Sequence, residues 1–248
     1  MTYSPLQLAV AALVVCAASM IKGAIGFGFP LVAVPLLSTI FGPRVAIPVI
    51  AIPTLLSNLI VVSRTGRSGF VRPLVLLLAG LIVGTGIGAL LITSLDPHVL
   101  AALVGAVAVL YVAATAFRLT LKIPIGAEQR VASIVGVFAG LMGGSTGIFA
   151  PVLASYMHFL QLSKREFVFG ITLLFFVGNL VQVSSYFRLG LYAGPVLHAA
   201  LLACLPMAVG TWGGLLLQDR LSPAVFERVV LGVVFLASLN LLFRGLFR

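Results

Sequence analysis

The chain has 248 residues, 61% of them hydrophobic and 8% charged, with 15 Lys and Arg against 5 Asp and Glu. A water-soluble domain averages about 45–50% apolar and about 25% charged residues, so the apolar surplus here needs lipid to face. At ~20 residues per transmembrane helix, eight spans use most of the length, which excludes a globular enzyme domain, a nucleotide-binding cassette or an extramembrane receptor module.

In chain order, the first predicted span begins near Pro5, meets a glycine-rich interruption at Gly23–Phe29 and resumes to Phe41. Spans follow at about 43–63, 71–94 and 98–118, then a more polar stretch from Arg118 to Arg130. The fifth begins near Val131, is interrupted at Gly143–Gly147 and resumes to Leu160. The last three are expected at about 165–187, 193–218 and 223–245. Pro97 and Pro223 sit near helix starts, where the missing N–H costs nothing. Residues 5–21 are read as a retained first helix. No basic region precedes them, and Val15 is too large for a cleavage site before Cys16.

An internal repeat runs through this order. Gly23-Ala24-Ile25-Gly26 returns as Gly140-Leu141-Met142-Gly143, Pro35 as Pro151, and Asn58 as Asn179. Val83-Gly84-Thr85 returns as Val209-Gly210-Thr211, Leu95-Asp96-Pro97 as Leu221-Ser222-Pro223, and Phe117-Arg118 as Phe243-Arg244. The fold class expected is an all-α integral membrane protein of about eight transmembrane helices. They form two four-helix repeats, residues 1–119 and 131–248, joined by a loop at 120–130, with helices 1 and 5 broken by the Gly-rich segments. Duplicated units of this kind are typical of secondary transporters.

The basic residues gather in the gaps between apolar runs, the pattern of loops held on the cytoplasmic side. They imply a lipid bilayer as partner and no nucleic acid. The charge rule does not separate parallel from inverted repeats, because each arrangement leaves one side richer in Lys and Arg. Cys16 and Cys204 lie within apolar runs and read as packing residues. The three histidines lack a cluster of partners, so no metal site and no cofactor are expected. All five carboxylates fall at predicted helix ends or loops, so no buried proton relay and no catalytic acid–base pair is visible.

The substrate-binding candidates centre on the two interruptions. Broken backbone at membrane depth is tolerated only where it faces protein or a water-filled cavity. Freed N–H groups at the start of a half-helix favour an anion. This nominates Gly26 and Gly28 at the first break, and Gly143, Gly144, Ser145, Thr146 and Gly147 at the second. The alternative is that these glycines let helices pack closely. Lys22, beside the first break, either neutralises a bound anion or snorkels to an interface. Asn58 and Asn179 occupy matched positions, with Gln182 near Asn179. They either donate to substrate oxygens or bond helix to helix. Thr54 and Thr172 are weaker candidates. Trp212, Tyr192 and Tyr186 are read as interface aromatics.

The stretch Gly23-Ala24-Ile25-Gly26-Phe27-Gly28-Phe29-Pro30, with Pro35-Leu36-Leu37 after it, resembles the glycine cluster of the TauE/SafE family of sulfite exporters. Gly140-Leu141-Met142-Gly143-Gly144-Ser145-Thr146-Gly147, with Pro151 and Tyr156, resembles the partner motif of the later half. Phe29-Pro30 and Phe149-Ala150 depart from the pattern, which commonly has glycines there. The resemblance covers essentially the whole chain. It implies transport of a small sulfur-containing anion, such as sulfite or an organosulfonate.

The function expected is therefore secondary transport, in the export direction, across the bacterial inner membrane. The anion would bind near the midplane between the two breaks, with the two repeats rocking for alternating access. An anion channel and a non-transporting membrane scaffold are the alternatives. A homodimer is the one protein partner considered.

Overall fold

The computed structural model describes residues 4–25, 28–64, 72–117, 128–160, 162–217 and 223–247. Among these, all regular structure is helical: α1 (Pro5–Ile25), α2 (Phe29–Phe41), α3 (Pro43–Arg64), α4 (Arg72–Ser94), α5 (Pro97–Ala116), α6 (Glu128–Thr146), α7 (Ala150–Phe159), α8 (Lys164–Arg188), α9 (Pro195–Leu202), α10 (Cys204–Leu217) and α11 (Pro223–Phe247). Five of these begin on proline, whose fixed φ suits the first helical position. Among the described residues, six stretches are long and apolar enough to cross a membrane. They lie in α1, α3, α4, α5, α8 and the α9–α10 pair, while α2 and the described apolar parts of α6 and α11 are shorter. The protein is a multi-pass membrane protein by this measure.

The breaks fall within the two predicted segments, at their C-terminal ends. Gly23 is still inside α1, and Gly143 and Gly144 are still inside α6. The chain actually turns at Gly28, with φ 103°, and at Gly147, with φ 77°. These left-handed values are easy only for glycine. The Gly147 N–H donates to the Gly143 carbonyl at 2.7 Å, closing α6 as a left-handed C-terminal cap. The seventh predicted span also divides, at Ala203. Pro206 lacks the N–H that would reach the Leu202 carbonyl, so the helix is interrupted one turn before it.

The chain forms two compact units. One comprises Met1–Pro53, Asp96–Val112 and Tyr192–Arg248, the other Thr54–Leu95 and Ala113–Leu191. Each takes segments from both halves of the chain, and α3 contributes to both.

In the first unit the most extensive helix pair is α1 with α10. Gly23 lies on the backbone of Thr211 and Gly214, Gly210 on the carbonyl of Cys16, and Gly214 on that of Met20. The helix α2 packs on α1 and α11, and Arg244 donates to the Thr39 carbonyl at 3.2 Å.

In the second unit the dominant pair is α4 with α6. Gly80, Gly84 and Gly88 recur every four residues on α4, and Gly136, Gly140 and Gly144 do so on α6. Each backbone lies where the other helix's side chain would otherwise stand, so a Cβ at any of the six would strike a facing carbonyl. Lipid offers helices no hydrophobic drive to associate. Close backbone approach through small residues replaces it. Around this pair packs a core that includes Leu74, Leu77, Leu81, Phe149, Leu153, Tyr156 and Leu174.

Candidate functional site

The site is built on α8. Its start is set by a capping box: Ser163 accepts from the Glu166 N–H at 3.4 Å, and Glu166 accepts from the Ser163 N–H at 3.0 Å. From that start, Asn179, Gln182 and Tyr186 recur at helical spacing and share one face. All three are buried, at 2%, 0% and 0% exposure, as is Asn58 on α3 at 4%.

These side chains form one directed hydrogen-bond chain. Asn58 Nδ2 donates to Asn179 Oδ1 at 2.7 Å. Asn179 Nδ2 donates to Gln182 Oε1 at 3.0 Å. Gln182 Nε2 donates to the Gly143 carbonyl at 2.8 Å and to Tyr186 Oη at 2.9 Å. Tyr186 Oη donates in turn to the Gly144 carbonyl at 2.6 Å. The chain thus ends on carbonyls in the last turn of α6, the negative end of that helix dipole, where side-chain donors are favourable. Four uncharged polar side chains in an apolar setting are tolerated because each is hydrogen-bonded.

Ser145 and Thr146 lie in the same turn. The Ser145 hydroxyl donates to the Leu141 carbonyl at 2.7 Å, and Thr146 Oγ1 donates to the Met142 carbonyl at 2.7 Å. Thr146 Oγ1 also accepts from the Ile148 N–H at 3.2 Å. Both hydroxyl protons are therefore directed at the helix itself, and Thr146 shapes the turn beyond it. Gly143 carries two roles: its carbonyl accepts from Gln182 and from Gly147, while its α-carbon lies under the Phe149 ring. Gly144 does likewise, accepting from Tyr186 while lying on the Thr85 backbone.

So the structure brings Asn58, Asn179, Gln182, Gly143, Gly144, Ser145, Thr146 and Gly147 together within the second unit. Lys22 and Gly28 belong to the first unit, and Gly26 lies outside the described residues. Lys22 is only 6% exposed, in the last turn of α1. A cation at a helix C-terminus is favoured by the dipole, and that degree of burial does not suit a side chain reaching out to an interface. Thr54 and Thr172 are buried, and Thr172 donates to the Val168 carbonyl at 2.7 Å. The first unit also holds an apolar cavity of about 440 Å³ between α1, α2, α3 and α9–α10. Its side chains offer an anion only His198.

Two of the three predicted interface aromatics are placed differently. Tyr186 is fully buried within the chain of donors, and Tyr192 is 5% exposed, donating to the Pro48 carbonyl at 3.1 Å. Only Trp212 is exposed, at 66%. The spacing of Tyr186, four residues after Gln182, was the available signal for its place. Burial raises the Tyr192 phenol above its ordinary pKa. Thr85 is a further residue the sequence does not single out as functional. It is fully buried against Gly144, and its hydroxyl has no hydrogen-bond partner among the described residues. Of the carboxylates, Asp96 accepts from the His98 N–H at 2.8 Å and Glu166 serves the capping box. The side chains of Glu128, Asp219 and Glu227 lie outside the described residues.

The sequence model of the family described as Sulfite exporter TauE/SafE matches residues 11–241. No curated protein and no solved structure matches the chain.

Proposed function

The chain belongs to the TauE/SafE family of exporter-type membrane transporters, and we propose that it is a secondary transporter exporting a small sulfur-containing anion, such as sulfite or an organosulfonate, across the bacterial inner membrane. The observation that carries this reading is the buried chain from Asn58 through Asn179, Gln182 and Tyr186 to the end of α6. Four uncharged polar groups connected side by side inside an apolar bundle offer a polar solute a ready set of donors and acceptors. Each amide carries two N–H donors, so the same groups can turn from one another to the oxygens of a sulfur oxyanion. In the first unit, Lys22, buried at the end of α1, is by itself a cationic group of the kind that suits an anion.

In this reading the eight predicted crossings form two four-helix repeats. The internal pairing supports it. Under the duplication α6 corresponds to α1 and α10 to α4. The pairs α4–α6 and α1–α10 are then the same contact made twice, each cemented by glycines. The membrane potential supplies a driving force for export, because ~2.3 kcal/mol per charge per 100 mV favours outward movement of an anion.

Purified protein in liposomes tests the proposal. Saturable sulfite or sulfonate flux with counterflow is expected. Flux equal to empty vesicles would exclude transport and leave a scaffold. Flux that neither saturates nor shows counterflow would make the pathway a channel.

A further inference from the structure

Phe149 caps the N-terminus of α7, two residues beyond the turn at Gly147. Its side chain is 4% exposed. The ring occupies a slot bounded by glycine on two helices. On α6, a Cβ added to Gly143 would overlap ring atoms Cδ1, Cε1 and Cγ. On α8, a Cβ added to Gly178 would stand 3.0 Å from Cε1 and 3.3 Å from Cδ1 and Cζ.

Both glycines adjoin the chain of donors. Gly143 supplies the carbonyl that accepts from Gln182, and Gly178 immediately precedes Asn179. The aromatic ring therefore lies against the backbone of the two helices, α6 and α8, that carry most of the polar groups. A compact oxyanion such as sulfite needs only the donors. An organosulfonate carries an apolar substituent on the sulfur, which needs space next to those donors. We infer that Phe149 limits that space: it walls the anion site at this break and sets how large a substituent the transported sulfur anion can carry. The inference rests on the transport reading above and adds the residue that selects among sulfur anions.

A ring that only fills the core makes a different prediction. Its truncation would lower stability without changing which anion is moved. Flux of sulfite and of ethanesulfonate is measured side by side in proteoliposomes for the wild type, Phe149→Ala, Phe149→Leu and Gly178→Ala. Folding of each is checked by size exclusion and thermal melting. Phe149→Ala is expected to raise the ethanesulfonate-to-sulfite ratio about ten-fold, the scale on which one apolar group is discriminated in a pocket. Phe149→Leu shifts it less. Gly178→Ala, whose new methyl tightens the slot, shifts it the other way.

An unchanged ratio in a folded Phe149 variant that still carries sulfite overturns the inference and leaves transport standing. A folded wild type that carries neither anion overturns the transport reading, and the inference with it. Should Phe149→Ala fail to fold, Phe149→Leu and Gly178→Ala decide, because opposite shifts from the two support the wall and equal ratios reject it.

Discussion

Asn58 on α3 donates to Asn179 on α8 over 2.7 Å, with both side chains almost wholly buried. The two asparagines stand at corresponding points of the internal repeat, and in the folded chain they bond to one another. Interhelical polar bonds inside a membrane protein average about 0.6 kcal/mol and reach about 1.7 kcal/mol. A double-mutant cycle with Asn58→Ala and Asn179→Ala, read by unfolding in detergent, is expected to give a coupling in that range. Additive single effects would show that the bond contributes nothing to the fold.

Tyr186 closes the chain on the Gly144 carbonyl at 2.6 Å. Tyr186→Phe keeps the ring and removes the hydroxyl, leaving that carbonyl without its side-chain donor and removing one acceptor of the Gln182 amide. An unsatisfied buried polar group costs about 1–3 kcal/mol. The variant should melt lower by a corresponding amount, and sulfite should stabilise it less than it stabilises the wild type in a thermal-shift titration. A melting temperature and ligand response equal to wild type would place the hydroxyl outside the working chain.

Gly84 and Gly86 separate packing from propensity. A Cβ on Gly84 would strike the Val137 backbone, whereas one on Gly86 meets nothing within 4 Å. Gly84→Ala should therefore force α4 from α6, at a cost of about 1–3 kcal/mol or more. Gly86→Ala should be neutral or stabilising by about 0.5–1 kcal/mol, because alanine is the better helix former. Equal melting temperatures for the two variants would contradict the close approach.

Lys22 is buried where a charge needs a reason to stay. Lys22→Met retains the apolar stem and removes the charge. Apparent affinity for sulfite should fall about ten-fold, equivalent to about 1.4 kcal/mol. Unaltered affinity would assign the lysine to the fold alone.

Much of the architecture follows from local chemistry that is readable along the chain. Apolar runs of spanning length, prolines at Pro43, Pro97 and Pro195, and the pair Ser163-x-x-Glu166 set where helices begin, because each acts through its own backbone within a turn or two. The matched glycine clusters mark the right neighbourhoods for the same reason. Which glycine turns the chain and which only packs is a different matter. Gly143 and Gly144 look no different from Gly147 in the sequence, yet Phe149, beyond the next turn, lies on Gly143, and Thr85, distant in the chain, lies on Gly144. Gly147 alone adopts the left-handed conformation there.

Tyr186 makes the point most plainly. An aromatic near the end of an apolar helix suits a membrane interface and a buried bond equally well, since its ring is apolar and its hydroxyl polar. Its place was settled by the end of α6, which presents two carbonyls at the distance Gln182 and Tyr186 can reach. Composition and spacing established a helical membrane protein with two glycine breaks. The meeting of α3, α6 and α8 turned scattered polar residues into one connected chain, because hydrogen bonds over 2.6 to 3.0 Å depend on positions that no local rule contains.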